Sequence, residues 1–134
     1  MHENFFHKIK VYYEDTDAGG VVYYANYLKF LERGRSNLIY KSKYTHEILH
    51  EKFDTIIVVK ECYINFIKPA FFEDKIKIET SIKELTKFKI NFYQKIFRKN
   101  EVLIEANVLV VPVNHHGKIT KLHNELFLYL KNIN

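Results

Sequence analysis

Residues 24 to 40 carry a long helical pattern, and it lies among segments that alternate like strands. Apolar side chains recur there at spacings of three and four, while Lys29, Glu32 and Arg33 fall elsewhere. Such a helix must bury its apolar stripe, and a sheet with one apolar face is the available cover. The stripe consists of Tyr24, Tyr27, Leu28, Leu31, Gly34 and Leu38.

Extended patterns account for most of the remaining chain. Isoleucines alternate with charged and hydroxyl side chains in residues 75–83, which is typical of a strand with one buried and one wet face. Residues 102–113 are apolar at nearly every position, which predicts a strand covered by its own core on one face and by a partner subunit on the other. The predicted strands are 5–13, 56–66, 75–83, 88–96 and 102–113, and Leu122, Leu126 and Leu130 predict a short closing helix.

These elements predict an α+β fold in a single domain that spans residues 1–134. One long central helix is wrapped by a curled antiparallel sheet of about five strands, because short connections make the later strands neighbours. Gly34 interrupts the helical stripe. Either a sheet packs closely over that turn or the glycine gives flexibility, and the sequence favours neither.

Composition narrows the function classes. The net charge of +5 favours anionic partners in general, but no arginine-rich run, zinc-ligand pairs or RNA-binding consensus points to nucleic acid. No apolar run is long enough to span a bilayer and no signal peptide is recognisable, so we expect a cytoplasmic protein. The single cysteine, Cys62, lies in an alternating stretch and is predicted to be a core thiol.

The segment from Asp15 to Tyr27 joins the first strand to the helix and combines carboxylates with glycines at a helix start. Its glycines allow close backbone approach, and the helix start presents unpaired N–H groups and the positive end of the helix dipole. The Tyr24 N–H could stabilise a developing oxyanion while the Asp17 carboxylate attacks or activates water. An Asp before a helix is also a common turn or cap residue, and spacing alone leaves both interpretations open.

Other site patterns are weaker. A calcium loop is rejected because its twelfth position is Asn26 rather than an acidic residue. His46-Glu47-Ile48-Leu49-His50 matches the zinc-binding HExxH pattern, but only about two helical turns are available and no third ligand is evident. No serine stands in a Gly-x-Ser-x-Gly elbow, so the hydrolytic role falls to a carboxylate.

The run DTDAGGVVYYANYLKFLERGR resembles the signature of the 4-hydroxybenzoyl-CoA thioesterase family, and is closest to its YbgC-like, Tol-Pal-associated branch. The similarity extends to Phe66-Ile67-Lys68-Pro69-Ala70 and covers most of the chain. The resemblance implies a hotdog fold, assembly into homodimers or homotetramers with active sites between subunits, and acyl-CoA hydrolysis without metal or cofactor.

By this resemblance Asp17 is the catalytic carboxylate, the Tyr24 N–H polarises the thioester carbonyl, and Asp15 is structural. Relatives often carry His where this chain has Tyr24, so an imidazole role is lost while the backbone donor remains. The candidate substrate-binding residues are Tyr23, Asn26, Lys87 and Lys89, with the two lysines meeting CoA phosphates from the rim.

Two functions from different classes remain open at this point. One is acyl-CoA hydrolysis; the other is a non-catalytic module that binds acyl-CoA or acyl carrier protein, because a fold does not guarantee chemistry. Retention of Asp17 favours the enzyme. The acyl-chain length, and the choice between CoA and acyl carrier protein, depend on a pocket that forms only in three dimensions.

Overall fold

A computed structural model describes residues 5–133 of the chain. Within that range the α+β prediction is confirmed. The elements are β1 (Phe5–Lys10), a 3-10 turn (Tyr13–Asp15), α1 (Asn26–Tyr40), α2 (His46–Phe53), β2 (Ile56–Phe66), β3 (Lys75–Thr86), β4 (Lys89–Arg98), β5 (Glu101–Val113) and α3 (Asn124–Ile133). Among these residues, no helix has both the length and the apolar character needed to cross a bilayer.

The five strands form one antiparallel sheet in the order β1-β3-β4-β5-β2. Tight hairpins make β3, β4 and β5 consecutive neighbours, as the short connections predicted. The expectation fails for β2, which pairs with β5 at the far edge rather than with β3. The longer connection 67–74 permits that crossing, and it leaves β1 to pair with β3.

Helix α1 lies against the inner face of the sheet and buries Phe30, Leu31, Leu38 and Ile39. At Gly34 the two layers approach so closely that a Cβ atom would lie 2.7 Å from Ile78 Cγ2 and 2.8 Å from Thr80 Oγ1. Close packing of the sheet therefore accounts for this glycine.

The start of the helix differs from the prediction. Helix α1 begins at Asn26, two residues later than the periodicity indicated, because Tyr24 and Ala25 form a turn. Tyr24 and Leu28 were predicted on the buried stripe, yet both are exposed. Leu28 lies on an exposed side of α1, whereas Tyr24 precedes the helix and its ring meets Phe66 edge-on.

Strand β2 is largely uncovered on both faces. Cys62 was predicted to be a core thiol, and this prediction is wrong for the single chain, since Cys62 is exposed. The physical reason is that α1 packs mainly against β1 and β3 and leaves most of the edge strand β2 uncovered. The first strand also ends early, at Lys10, because the chain turns at Tyr13–Asp15.

Candidate active site

The loop between β1 and α1 folds as a tight turn. The Asp17 N–H donates to the Val21 carbonyl at 2.9 Å, and the Gly20 N–H donates to the Asp17 carbonyl at 3.0 Å. Gly20 has a φ of 78°, a backbone conformation that side chains with a Cβ rarely adopt. The glycine therefore permits the reversal of the chain at Asp17.

The Asp17 side chain is exposed, and one of its oxygens is fixed. Oδ1 accepts a hydrogen bond of 2.9 Å from the Gly19 N–H. Within residues 5–133, no donor to the other oxygen, Oδ2, is found. The carboxylate is thus held in place by its own turn while one oxygen faces solvent.

The first turn of α1 has donors to offer. The Tyr23 N–H donates to the Asp15 carbonyl, and the Asn26 N–H donates to the Tyr23 carbonyl. The N-cap residue Ala25 supplies no side-chain cap, and in the described part of the chain the N–H groups of Tyr24 and Ala25 have no acceptor. Uncapped amides at a helix N-terminus attract a ligand oxygen that carries negative charge.

Asp15 and Asn26 hold this loop together. The Asp15 carboxylate accepts from the Tyr12 N–H at 2.9 Å, so the structural role expected for Asp15 agrees with its contacts. Asn26 is buried, and its Nδ2 donates to the Asp15 carbonyl at 2.9 Å. This bond ties the first residue of α1 to the loop, which makes Asn26 a scaffold in the single chain.

A cavity of about 240 Å³ opens beside Tyr24, and residues from the loop, the helix and the end of β2 line it. Its floor is fixed by the Tyr27 hydroxyl, which accepts from the Ala70 N–H at 3.0 Å. Burial raises the pKa of Tyr27, so this hydroxyl stays neutral. Asp17 itself does not line the cavity of the single chain. The lining residues are Val22, Tyr24, Tyr27, Phe66, Ile67, Lys68 and Pro69.

Tyr23 lies beside this cavity as an exposed side chain. Its ring centroid is 4.9 Å from that of Tyr24, and a hydrogen bond with Tyr24 raises the pKa of Tyr23. The Tyr24 ring in turn meets Phe66 edge-on at 6.3 Å. These rings form an aromatic rim at the mouth of the candidate site.

Lys87 and Lys89 do not join the other candidate residues within one chain. They lie at the β3–β4 hairpin, where Lys89 pairs with Glu84 at 2.5 Å and the Lys87 ammonium lies 5.8 Å from the centre of the Phe127 ring. The sheet register places Lys89 about seven residues along β4, or about 23 Å, from the row that contains Phe66. Within one chain the two lysines therefore lie far from Tyr24.

Two other features lie outside the loop. A concavity of about 550 Å³ among Lys8, Lys10, Lys75 and Lys77 lies on the outer face of the sheet, opposite to α1.

The HExxH histidines do lie on helix α2, but residues 5–133 contain no group of three or more His, Cys, Asp or Glu placed to hold a metal ion.

Sequence reasoning missed a second polar cluster, which lies between α1, α2 and β2. Ser36 Oγ donates to Glu32 Oε1 at 3.0 Å and lies 2.9 Å from His46 Nε2. Arg35 is buried beside them, and its Nη1 donates to Gln94 Oε1 at 3.1 Å. A signal was present, because Arg35 stands four residues after Leu31 and three before Leu38, on the buried stripe.

The chain matches known proteins along most of its length. The model of the thioesterase-like superfamily matches residues 11–127. Acyl-CoA thioesterase YbgC of Haemophilus influenzae is 37% identical over 114 residues, which cover 85% of this chain and 84% of that protein. Acyl-CoA thioesterase YbgC of Helicobacter pylori is 40% identical over 90 residues, which cover 67% of this chain and 65% of that protein.

Solved structures show the same fold. A probable thioesterase from Bartonella henselae superposes with a TM-score of 0.87 at 31% identity and covers 90% of this chain and 100% of its own. A 1,4-dihydroxy-2-naphthoyl-CoA thioesterase from Synechocystis superposes with a TM-score of 0.89 at 18% identity, covering 98% of each chain, which supports the fold alone.

The predicted hotdog fold and the predicted class of enzyme, a thioester hydrolase, are thereby confirmed. The protein belongs to the thioesterase-like superfamily and is related to its YbgC acyl-CoA thioesterases.

Proposed function

We propose that this protein hydrolyses acyl-CoA to the free acid and CoA, with Asp17 and the Tyr24 N–H at the reacting carbonyl. One observation carries the proposal: the uncapped start of α1 leaves the Tyr24 amide without an acceptor among residues 5–133, beside a cavity, and the Asp17 carboxylate is fixed in the loop that leads to this helix. The relatives named acyl-CoA thioesterases support the substrate class.

In the proposed reaction, the thioester carbonyl accepts a hydrogen bond from the Tyr24 N–H. Negative charge that develops on the carbonyl oxygen is stabilised there by the amide and the helix dipole. The Asp17 carboxylate either attacks the carbonyl carbon or takes a proton from the water that attacks it. The carbon–sulfur bond then breaks, and the CoA thiolate leaves and takes up a proton. Where Asp17 is the nucleophile, this step leaves a mixed anhydride on Asp17, which water hydrolyses to the free acid and the restored carboxylate.

The site is proposed to be completed in a homodimer through the edge strand β2. Both edges of the sheet are open in one chain, but β1 presents Lys8 and Lys10, which deter edge pairing. Strand β2 instead exposes apolar side chains, and such a patch marks an interface. These exposed residues are Ile56, Val58, Val59, Tyr63 and Phe66. A tetramer, the cytoplasmic location and the Tol-Pal association stay predictions from the sequence.

The test is thiol release from a panel of acyl-CoAs by wild type and by Asp17→Asn. We expect a loss of at least about 10²-fold in kcat/KM, the scale for removing positioned nucleophilic or acid–base help. Asp15→Asn is the matched control, because an amide oxygen can still accept from the Tyr12 N–H. Its rate should stay close to that of wild type.

The alternative is a non-catalytic module that binds acyl-CoA or acyl carrier protein. This alternative would hold if the protein bound a thioether analogue of acyl-CoA tightly while wild type and Asp17→Asn both released thiol only at the background rate. The proposal of hydrolysis would then be wrong. Running the same panel on acyl carrier protein decides between the two thioester carriers. A higher kcat/KM with the carrier protein would identify it as the natural donor.

A further inference from the structure

The cluster around Arg35 borders a second cavity, of about 190 Å³. Arg35 is only 9% exposed, and a charged side chain at that depth normally needs a partner. The rest of the wall is mostly apolar and comes from the inner side of β2 and the sheet. The lining residues are Glu32, Arg35, Ser36, Ile39, His46, Ile57, Val59, Phe92 and Val110.

A network of buried hydrogen bonds holds the guanidinium at this wall. Gln94 Nε2 donates to the Leu31 carbonyl and to Thr80 Oγ1, both at 2.9 Å. Those two bonds fix the orientation of the amide, so Gln94 Oε1 must point to Arg35 Nη1. The arginine is therefore preorganised by the core of the sheet.

The positive charge of Arg35 has no carboxylate within salt-bridge distance in the described part of the chain. The nearby carboxylate of Glu32 accepts from Ser36 instead. Burial lowers the pKa of Arg35, the charge on Glu32 raises it, and only one neutral acceptor, Gln94, is bonded to it. The remaining N–H groups are thus available to an oxygen that enters the cavity.

The topology relates this cavity to the candidate active site of a second subunit. Along β2, Phe66 lines the cavity beside Tyr24, while Ile57 and Val59 line the cavity beside Arg35. Antiparallel pairing of β2 with its copy about a two-fold axis sets the Ile57 end of one strand beside the Phe66 end of the other. In such a dimer the Arg35 cavity of each subunit would lie beside the cavity at Tyr24 of the partner subunit.

We propose that Arg35 of one subunit binds an oxygen at the far end of the acyl group that is hydrolysed at Asp17 of the other subunit. The inference rests on the proposed hydrolysis and on the β2 dimer. The apolar wall suits the methylene chain, and the guanidinium selects acyl groups that end in a hydroxyl or carboxylate oxygen over those that end in methyl. Arg35 is therefore a specificity-determining residue supplied in trans.

The first experiment compares matched acyl-CoA pairs of equal length, from four to ten carbons, that end in methyl, hydroxyl or carboxylate. Wild type should favour one of the oxygen-ended series, and Arg35→Met should lower that preference in kcat/KM by about 10-fold to 10²-fold, as expected for a lost bond to a charged group. Arg35→Lys keeps the charge and should retain part of the preference. A purely structural role would lower all three series equally.

The second experiment tests supply in trans by co-expressing Asp17→Asn with Arg35→Met. In a mixed dimer one site combines both substitutions and the other has neither, so about a quarter of all sites regain wild-type kcat/KM for the oxygen-ended substrate. If Arg35 acted on its own subunit, no site would recover. Should Arg35→Met fail to dimerise, Arg35→Lys replaces it in the same mixture.

The outcomes separate the two proposals. Absence of hydrolysis by wild type defeats the proposed function, and the affinities of oxygen-ended and methyl-ended thioether analogues for wild type and Arg35→Met then decide the role of Arg35. The proposed role of Arg35 is supported if wild type binds the oxygen-ended analogue more tightly and Arg35→Met loses that preference. The proposal is wrong if wild type and Arg35→Met show the same preference for oxygen-ended acyl groups. It is also wrong if both variants fold and dimerise but their mixture does not regain wild-type kcat/KM.

Discussion

Asp15 and Asp17 stand two residues apart in one loop and have different surroundings. The Asp15 carboxylate is bonded to the Tyr12 N–H, while its carbonyl accepts from Tyr23 and Asn26. Asp17 uses one oxygen to close its turn on Gly19 and keeps the other open to solvent. The difference arises from backbone geometry, which fixes where each carboxylate points.

Gly34 gives a prediction at the scale of one residue. Gly34→Ala improves helix propensity by about 1 kcal/mol, but overpacking costs about 1–3 kcal/mol when the neighbours are rigid. The new Cβ would lie 2.7 Å from Ile78 Cγ2 and 2.8 Å from Thr80 Oγ1, both on fully buried strand residues. We expect a net loss of stability in urea unfolding. An unchanged or higher midpoint would show that α1 shifts away at little cost.

At the scale of elements, β1 and α1 are joined by a polar contact as well as by apolar packing. Asn37 Nδ2 lies 3.1 Å from His7 Nδ1 and also donates to the Arg33 carbonyl at 2.9 Å. Since an amide nitrogen can only donate, His7 Nδ1 must be the acceptor and therefore carry no proton. Burial, followed by the charge of Arg33, lowers the pKa of His7.

This contact predicts a pH dependence of stability. A histidine whose pKa is lowered on folding binds more protons when unfolded, so stability falls as the pH drops through about 6.5, the value for an unperturbed histidine. The stability that neutral His7 contributes is lost completely below the lowered pKa of His7 in the folded state. His7→Gln should flatten this part of the profile of unfolding free energy against pH between about 7.5 and 5. Parallel profiles for the two proteins would contradict the assignment.

At the scale of the whole molecule, the main feature is the β2 edge of the sheet, which the rest of the chain leaves uncovered. It carries exposed apolar side chains on both faces, whereas the three middle strands of the sheet each bury one face. It also joins the two cavities, since Phe66 lines one and Val59 lines the other. The proposed dimer would therefore cover the β2 edge and bring the two cavities together at the same contact.

The dimer proposal predicts that charge on this edge dissociates the protein. Val58→Lys combined with Tyr63→Lys would place two cations in an apolar contact, and sedimentation equilibrium should show a shift from dimer to monomer with a loss of thiol release. Phe88→Lys adds a cation to an exposed hairpin residue away from β2 and is the control. Dimers that persist in the β2 variant would place the interface elsewhere.

Local pattern was sufficient for much of this structure. Side-chain direction repeats with a fixed period in each type of element, so the spacing of apolar residues predicts which face is buried. The buried faces of β3 and α1 follow their patterns, the alternation at Ile76, Ile78 and Ile82 and the three-and-four spacing at Leu31 and Leu38. The Asp-Thr-Asp run and the glycines after it likewise indicated a turn before the helix.

The sequence by itself determined the five strands, the long helix, the closing helix and their order, together with the loop that holds Asp17, whereas helix α2 was absent from the predicted elements. The tertiary structure decided what no local period contains: that β2 crosses to the far edge, that Cys62 and Leu28 stay exposed, and that Arg35 meets Gln94 across 59 positions of chain. Periodicity reports which way a side chain points, whereas burial and pairing depend on which distant element arrives to cover it.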